Sequence, residues 1–141
     1  MKDQFYLHFD TMPTGTAQQK GVRIVHGKPM FYEKASVRDA RTQFTLALKP
    51  HAPEQPSTKP IRLTIWFAFD VKDKKLWGQY KPTRPDTDNS LKLLKDCMSG
   101  MFFIDDCQVV DEQVIKTYAE KATIMVRWEE LFGKEITDAT N

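Results

Sequence analysis

Ile61-Arg62-Leu63-Thr64-Ile65-Trp66-Phe67-Ala68-Phe69 alternates without a break between large apolar residues and a second row of Arg62, Thr64, Trp66 and Ala68. An unbroken period of two over this length specifies a strand with one fully apolar face. Ile61, Leu63, Ile65, Phe67 and Phe69 must all be covered, so this strand is expected at the centre of a sheet.

Working outward, Gln4 to Asp10 sets Phe5, Leu7 and Phe9 against Tyr6, His8 and Asp10, a first strand. Thr11 to Tyr32 loses periodicity and carries Pro13, Gly15, Gly21, Gly27 and Pro29, which indicates a long basic loop or an irregular hairpin. From about Glu33 to Lys49, Val37, Ala40, Phe44 and Leu48 form a helical stripe that Pro50 closes. Pro50 to Pro60, with Pro53 and Pro56 between them, reads as a linker within the domain.

After a lysine-rich loop from Val71 to Arg84, a second helix runs from Asn89 to about Ser99, with Leu91, Leu94 and Met98 on one stripe and Gly100 as its stop. Val109 to Tyr118 and Thr123 to Leu131 read as two strands, and Ala119 to Ala122 is short enough for a hairpin turn between them. The order β, loop, α, β, α, β, β predicts an α+β fold: one domain over residues 1–141, a mixed sheet with two main helices on one face, and a flexible polar tail over 132–141.

With 141 residues, 40% hydrophobic and 28% charged, the chain is long enough for one real core. No run approaches a membrane span and no signal-peptide pattern is visible, so a soluble cytoplasmic protein is expected. Cys97 and Cys107 lack paired metal-ligand spacing and are expected as free thiols. His8, His26 and His51 are scattered, with no neighbour to orient a general base.

The chemistry concentrates between Pro85 and Asp106. Pro85-Asp86-Thr87-Asp88-Asn89-Ser90-Leu91-Lys92 opens the second helix, and Phe103-Ile104-Asp105-Asp106 follows its exit. Short side chains with hard oxygens suit Mg²⁺ or Mn²⁺, which take few carboxylates and keep several waters. Two acidic clusters bracketing one helix are expected to meet at its start. Capping explains one of Asp86 and Asp88 but not both, and Asp105-Asp106 taken alone is an ordinary turn. An EF-hand loop is excluded, because its sixth position would be Leu91 in place of Gly and its twelfth Cys97 in place of Glu. A restriction-type nuclease pattern fails as well, since Asp73-Lys74-Lys75 lies upstream of Pro85-Asp86.

The net charge of +2 does not by itself announce a nucleic-acid binder. Its distribution says more: Lys72, Lys74, Lys75, Lys81 and Arg84 crowd the approach to the acidic cluster, and Lys20, Arg23, His26, Lys28 and Lys34 form a second basic zone. A solvated charged loop accounts for either zone in isolation. Beside a metal site, phosphate binding is the stronger expectation, with Lys20, Arg23, Lys72, Lys74, Lys75, Lys81 and Arg84 as the candidate phosphate contacts. Trp66, Trp77 and Trp128 are expected as core or rim packing.

Pro85-Asp86-Thr87-Asp88-Asn89, Lys92 four residues beyond the second Asp, and Asp105-Asp106-Cys107-Gln108-Val109-Val110 together resemble the RusA family of Holliday junction resolvases, small endonucleases common in prophages. Pro13 to Gly21 and His51-Ala52-Pro53 also resemble phage members, so the likeness spans most of the chain. Ser90 and Cys107 depart from the residues common there, and neither replaces a carboxylate. The resemblance implies Asp86, Asp88 and Asp106 as catalytic, metal-holding carboxylates and Lys92 as an essential neighbour, with Asp105 and Asn89 matching the motif in undefined roles. It also implies Mg²⁺, with Mn²⁺ able to substitute, a homodimer, four-way DNA junctions as substrate, and 5′-phosphate and 3′-hydroxyl products.

A junction offers two equivalent strands, which an isologous dimer meets with two sites at once. The rivals are a non-catalytic junction-binding protein and a nuclease for flaps or single strands. Clustered carboxylates repel phosphate and so weigh against the first.

Overall fold

The computed structural model describes residues 1–14 and 20–135, with the backbone alone at Lys20 and Gly21. The chain runs β1 (Lys2–Phe9), β2 (Lys20–Val25), β3 (Lys28–Glu33), α1 (Ala35–Leu48), β4 (Ile61–Asp70), α2 (Thr87–Met98), β5 (Val109–Ala119) and β6 (Ala122–Glu130). Short 3-10 turns lie at Lys49–His51, Lys74–Leu76 and Asp106–Gln108.

Four strands form a mixed sheet in the order β1-β6-β4-β5, with β4 and β5 parallel and the other pairs antiparallel. β4 is internal, as its apolar row requires. Ile61, Leu63, Ile65, Phe67 and Phe69 are all buried, together with Phe5 and Leu7 of β1 and Ile124, Val126 and Trp128 of β6. Over this face lie α1, through Val37, Ala40, Phe44 and Leu48, and α2, through Leu91, Leu93, Leu94, Cys97 and Met98. The α+β arrangement with two helices on one face is the expected one.

The expected hairpin of the last two strands is not formed. β5 and β6 lie on either side of β4, and Glu120-Lys121 crosses over its end. A short connection requires only that two strand ends be close. Three Cα steps of 3.8 Å reach about 11 Å, which spans two strand spacings of about 4.8 Å as readily as one.

Of the long loop and the irregular hairpin expected after β1, the hairpin forms and is regular over its described residues, β2 pairing with β3. Its turn is His26-Gly27, at φ 50° and 76°, the double left-handed pair that matches the twist of a tight hairpin. Val22, Ile24, Pro29 and Phe31 share one face, and Arg23, Val25, Lys28 and Met30 the other. Gly15 to Gln19 of the motif-bearing stretch, and residues 136–141 of the expected tail, fall outside the described residues.

The linker is pinned at its middle. Buried Ser57 donates its backbone N–H to the Phe102 carbonyl at 2.9 Å and its hydroxyl to Glu130 Oε2 at 2.7 Å. Phe102 and Phe103 are fully buried and fix the exit of α2 against the sheet. Among the described residues, no helix is long and apolar enough to cross a membrane.

Candidate functional site

α2 begins at the end of the sheet where β4 finishes and β5 carries Lys116 and Tyr118. The approach loop is held there by named contacts. Lys116 Nζ donates to the carbonyls of Thr83, at 2.7 Å, and Pro85. Lys81 Nζ donates to Thr83 Oγ1 at 2.7 Å and lies over the rings of Phe69 and Tyr118, 5.3 and 5.1 Å from their centroids. Lys81 N–H donates to the Lys116 carbonyl, which adds the loop to the edge of the sheet. The Arg84–Pro85 peptide is cis.

Asp86 is the N-cap of α2, and its carbonyl accepts the first helical bond, from Ser90 N–H at 2.9 Å. Its carboxylate caps nothing. Asp88, in the first turn, is exposed like Asp86, and among the described residues neither carboxylate makes a hydrogen bond or an ion pair. Structural duty therefore does not account for either side chain. The helix N-terminus favours negative charge there, which offsets part of the repulsion between them. Lys92 is exposed one turn along the same flank and forms no ion pair with Asp88.

Asp105 and Asp106 lie beyond the other end of α2. Asp105 accepts from Cys107 N–H at 3.0 Å, while its own N–H donates to Gln108 Oε1 at 2.9 Å, a reciprocal cap on the turn Asp106–Gln108. Buried Gln108 donates Nε2 to the carbonyls of Ser57 and Lys59 at 2.8 and 2.9 Å. Asp105 thus has a structural role, and Gln108 is the bolt. Asp106 is left half-buried with Asp105, Lys95 and Asp96 as charged neighbours. Partial burial, reinforced by the hydrogen bond and charge of Asp105, pushes its carboxyl above the usual range, and Lys95 pulls the other way.

One chain brings together Asp86, Asp88 and Lys92 and leaves Asp106 apart. The expectation that both acidic clusters meet at the start of the helix fails within a single chain, because α2 separates them by about 17 Å at 1.5 Å per residue. Among the described residues no group of three potential metal ligands is assembled. Asp86 and Asp88 still suit a hard cation that takes one or two carboxylates and keeps its waters.

Of the expected DNA contacts, Lys72, Lys74, Lys75 and Arg84 are exposed on the loop that leads to Asp86, and Arg23 is exposed on the hairpin. Lys81 is committed to the loop and the aromatic rings. The side chain of Lys20 lies outside the described residues. Lys116 was not legible from sequence as a site residue, since nothing in an alternating strand marks which polar residue reaches a loop. Trp128 is core, Trp77 donates to the Val71 carbonyl at 2.8 Å, and Trp66 stands on the uncovered face of the sheet.

Two unpaired carboxylates beside exposed cations can hold a divalent cation next to a bound phosphate. The family described as endodeoxyribonuclease RusA matches residues 10–129. The crossover junction endodeoxyribonuclease rusA of Lactococcus phage r1t is 36% identical over 129 residues, covering 89% of this chain and 96% of that protein. Uncharacterized protein YqaN of Bacillus subtilis (strain 168) is 28% identical over 125 residues, 81% of this chain and 87% of that protein. The chain belongs to the RusA family of endodeoxyribonucleases.

Proposed function

We propose that this protein is a divalent-metal-dependent endonuclease that resolves four-way DNA junctions by paired nicks, acting as a homodimer. Family membership supports the junction substrate. The observation that carries the site is the pair Asp86 and Asp88, two carboxylates with no partner among the described residues at the start of α2, which follows a loop held in place by Lys116.

In this reading Asp86 and Asp88 hold Mg²⁺, for which Mn²⁺ substitutes, and Asp106 is the third carboxylate of the set. Bound there, the metal lowers the pKa of a water and neutralises charge on the phosphoryl oxygens. Lys92, free on the same flank, stabilises negative charge as it develops at the scissile phosphate. Arg84, Lys72, Lys74 and Lys75 bind the flanking backbone, and Arg23 and Lys28 extend that contact from the hairpin.

Cleavage of synthetic four-way junctions, flaps and duplexes, with and without Mg²⁺, tests the proposal. Paired nicks in the junction alone, and only with metal, are expected. Cutting in the presence of a chelator, or a preference for flaps, overturns it.

A further inference from the structure

The hairpin of β2 and β3 is anchored at its root and bare along its blade. At the root, Glu33 Oε1 accepts from Arg41 Nε and Nη2 of α1 at 3.2 and 2.9 Å, and Arg38 donates to the Glu33 carbonyl. Met12, Pro13 and Thr14, on the way from β1 to β2, line one small cavity with Pro85 and Ser90, so the approach to the hairpin adjoins the segment that presents Asp86. Beyond the root, every residue from Val22 to Tyr32 except Val25 is exposed, Ile24 and Phe31 each by 70%. Strand register sorts these residues by chemistry. Val22 lies opposite Phe31 and Ile24 opposite Pro29, which makes one face apolar from the root pair to the turn, while Arg23 and Lys28 stand on the reverse face. Glu33, the one acid in the hairpin sequence, is already paired with Arg41. Six residues per strand at about 3.3 Å each make a blade about 20 Å long. A contiguous apolar face held in water on so slender an element marks an interaction surface.

We propose that this hairpin distinguishes a branch from a duplex: its apolar face inserts at the exchange point of the DNA and covers the base pairs unstacked there, while Arg23 and Lys28 hold the phosphates of the strand passing behind it. This rests on the reading of the protein as a junction endonuclease. The chemistry of the two faces selects the occupant. A two-stranded ribbon also fits the major groove of a duplex, but base edges there present hydrogen-bond donors and acceptors, and Val22, Ile24, Pro29 and Phe31 have no side-chain group to exchange with them. The flat face of a base pair is apolar. Within a continuous duplex each such face is covered by the next pair, whereas at a branch the stacks are interrupted, and Phe, Ile and Pro are side chains that wedge between base steps. An apolar face alone would serve a protein partner equally well. Cations on the reverse face, with no unpaired acid on the hairpin, favour a polyanion that carries its apolar surfaces within the same molecule. Phe31 supplies the ring for stacking on a base, and Ile24 lies beside the turn that enters first. The lysines that lead to Asp86 meet phosphates, which branch and duplex share, so Ile24 and Phe31 are the specificity-determining residues.

Binding is measured on a synthetic immobile four-way junction carrying 2-aminopurine beside the exchange point, and on a duplex of the same sequence, with metal omitted so that no strand is cut. Insertion parts neighbouring bases, so the wild type is expected to raise the 2-aminopurine fluorescence and to prefer the junction. The double variant Ile24→Ser, Phe31→Ser alters exposed side chains alone and should melt as the wild type does. Its fluorescence rise should be lost and its preference for the junction should fall by about tenfold or more, the scale of base–aromatic stacking, while duplex affinity stays within about twofold, since the phosphate contacts remain. Arg23→Gln with Lys28→Gln should instead weaken both substrates in the same proportion and flatten the salt dependence. A serine variant that keeps the fluorescence rise and the preference overturns this inference alone. A wild type that binds junction and duplex equally overturns the function proposed above and this inference with it. Light scattering decides against the rival occupant: a serine variant that becomes a 16.4 kDa monomer where the wild type is larger assigns the apolar face to a second copy of the chain, and the inference fails.

Discussion

The ammonium of Lys116, on β5, donates to the carbonyl of Pro85, the residue immediately before Asp86, the first carboxylate of the proposed site. A second bond to Thr83 fixes the same loop from the same group. Lys116 is thus a positioning residue for Asp86. Lys116→Met should keep the strand and lose the anchor, at a stability cost on the order of 1 to 3 kcal/mol for charged hydrogen bonds. The cleavage rate at saturating junction is expected to fall at least tenfold while junction affinity changes little, and Lys116→Arg should restore part of the rate. Equal losses in rate and affinity would indicate a general folding defect.

Lys92 offers a sharper separation between catalysis and structure. As a surface partner of Asp88 it would contribute at most about 1 kcal/mol to stability. Lys92→Ala should lower the single-turnover rate by orders of magnitude with an unchanged melting temperature. A rate within about threefold of wild type, less than 1 kcal/mol in barrier, removes Lys92 from the catalytic set.

Gln108 is buried, and two of its side-chain hydrogen bonds join the Asp106 turn to the linker while a third, accepted from Asp105 N–H, closes the turn itself. Gln108→Leu leaves the Ser57 and Lys59 carbonyls without this donor, which at about 1 to 3 kcal/mol per orphaned buried group should be plain in urea unfolding. Activity is expected to fall further than the loss of folded protein explains, because Asp106 loses its mount.

Stability on the acid side should report Glu130. The Ser57 hydroxyl holds its carboxyl below the ordinary value. A depressed carboxyl contributes stability that is present above its unfolded pKa and is lost as pH falls through its folded pKa. Glu130→Gln should therefore lower the melting temperature at pH 7, with the difference closing as pH drops below the ordinary carboxylate range. A difference that is constant with pH would show that the charge is not involved.

Much of this was legible in the sequence, and the failures share a cause. The row Ile61 to Phe69 located the central strand, because five large apolar residues on one face leave no other place for it. The stripes of α1 and α2 were equally readable from spacing. What local pattern does not encode is which strands become neighbours: Glu120-Lys121 is compatible with a hairpin and with a crossing over β4, and the choice depends on which element covers each face of the whole sheet. The site divides in the same way. Asp86, Asp88 and Lys92 are neighbours in sequence and remain neighbours in space, while Asp106 is carried away by the buried anchors Phe102 and Phe103. Asp105 and Gln108, alike in polarity to the site residues, are consumed by the turn.

Asp88→Asn tests the central claim most directly, measured for cutting and for binding on the same synthetic four-way junction in Mg²⁺. In the proposed site, removing this carboxylate takes away an oxygen assigned to the metal and also relieves repulsion of the DNA phosphates. The expected result is no cleavage with junction affinity equal to or tighter than wild type. An Asp88→Asn protein, purified free of wild type, that still nicks the junction contradicts the account.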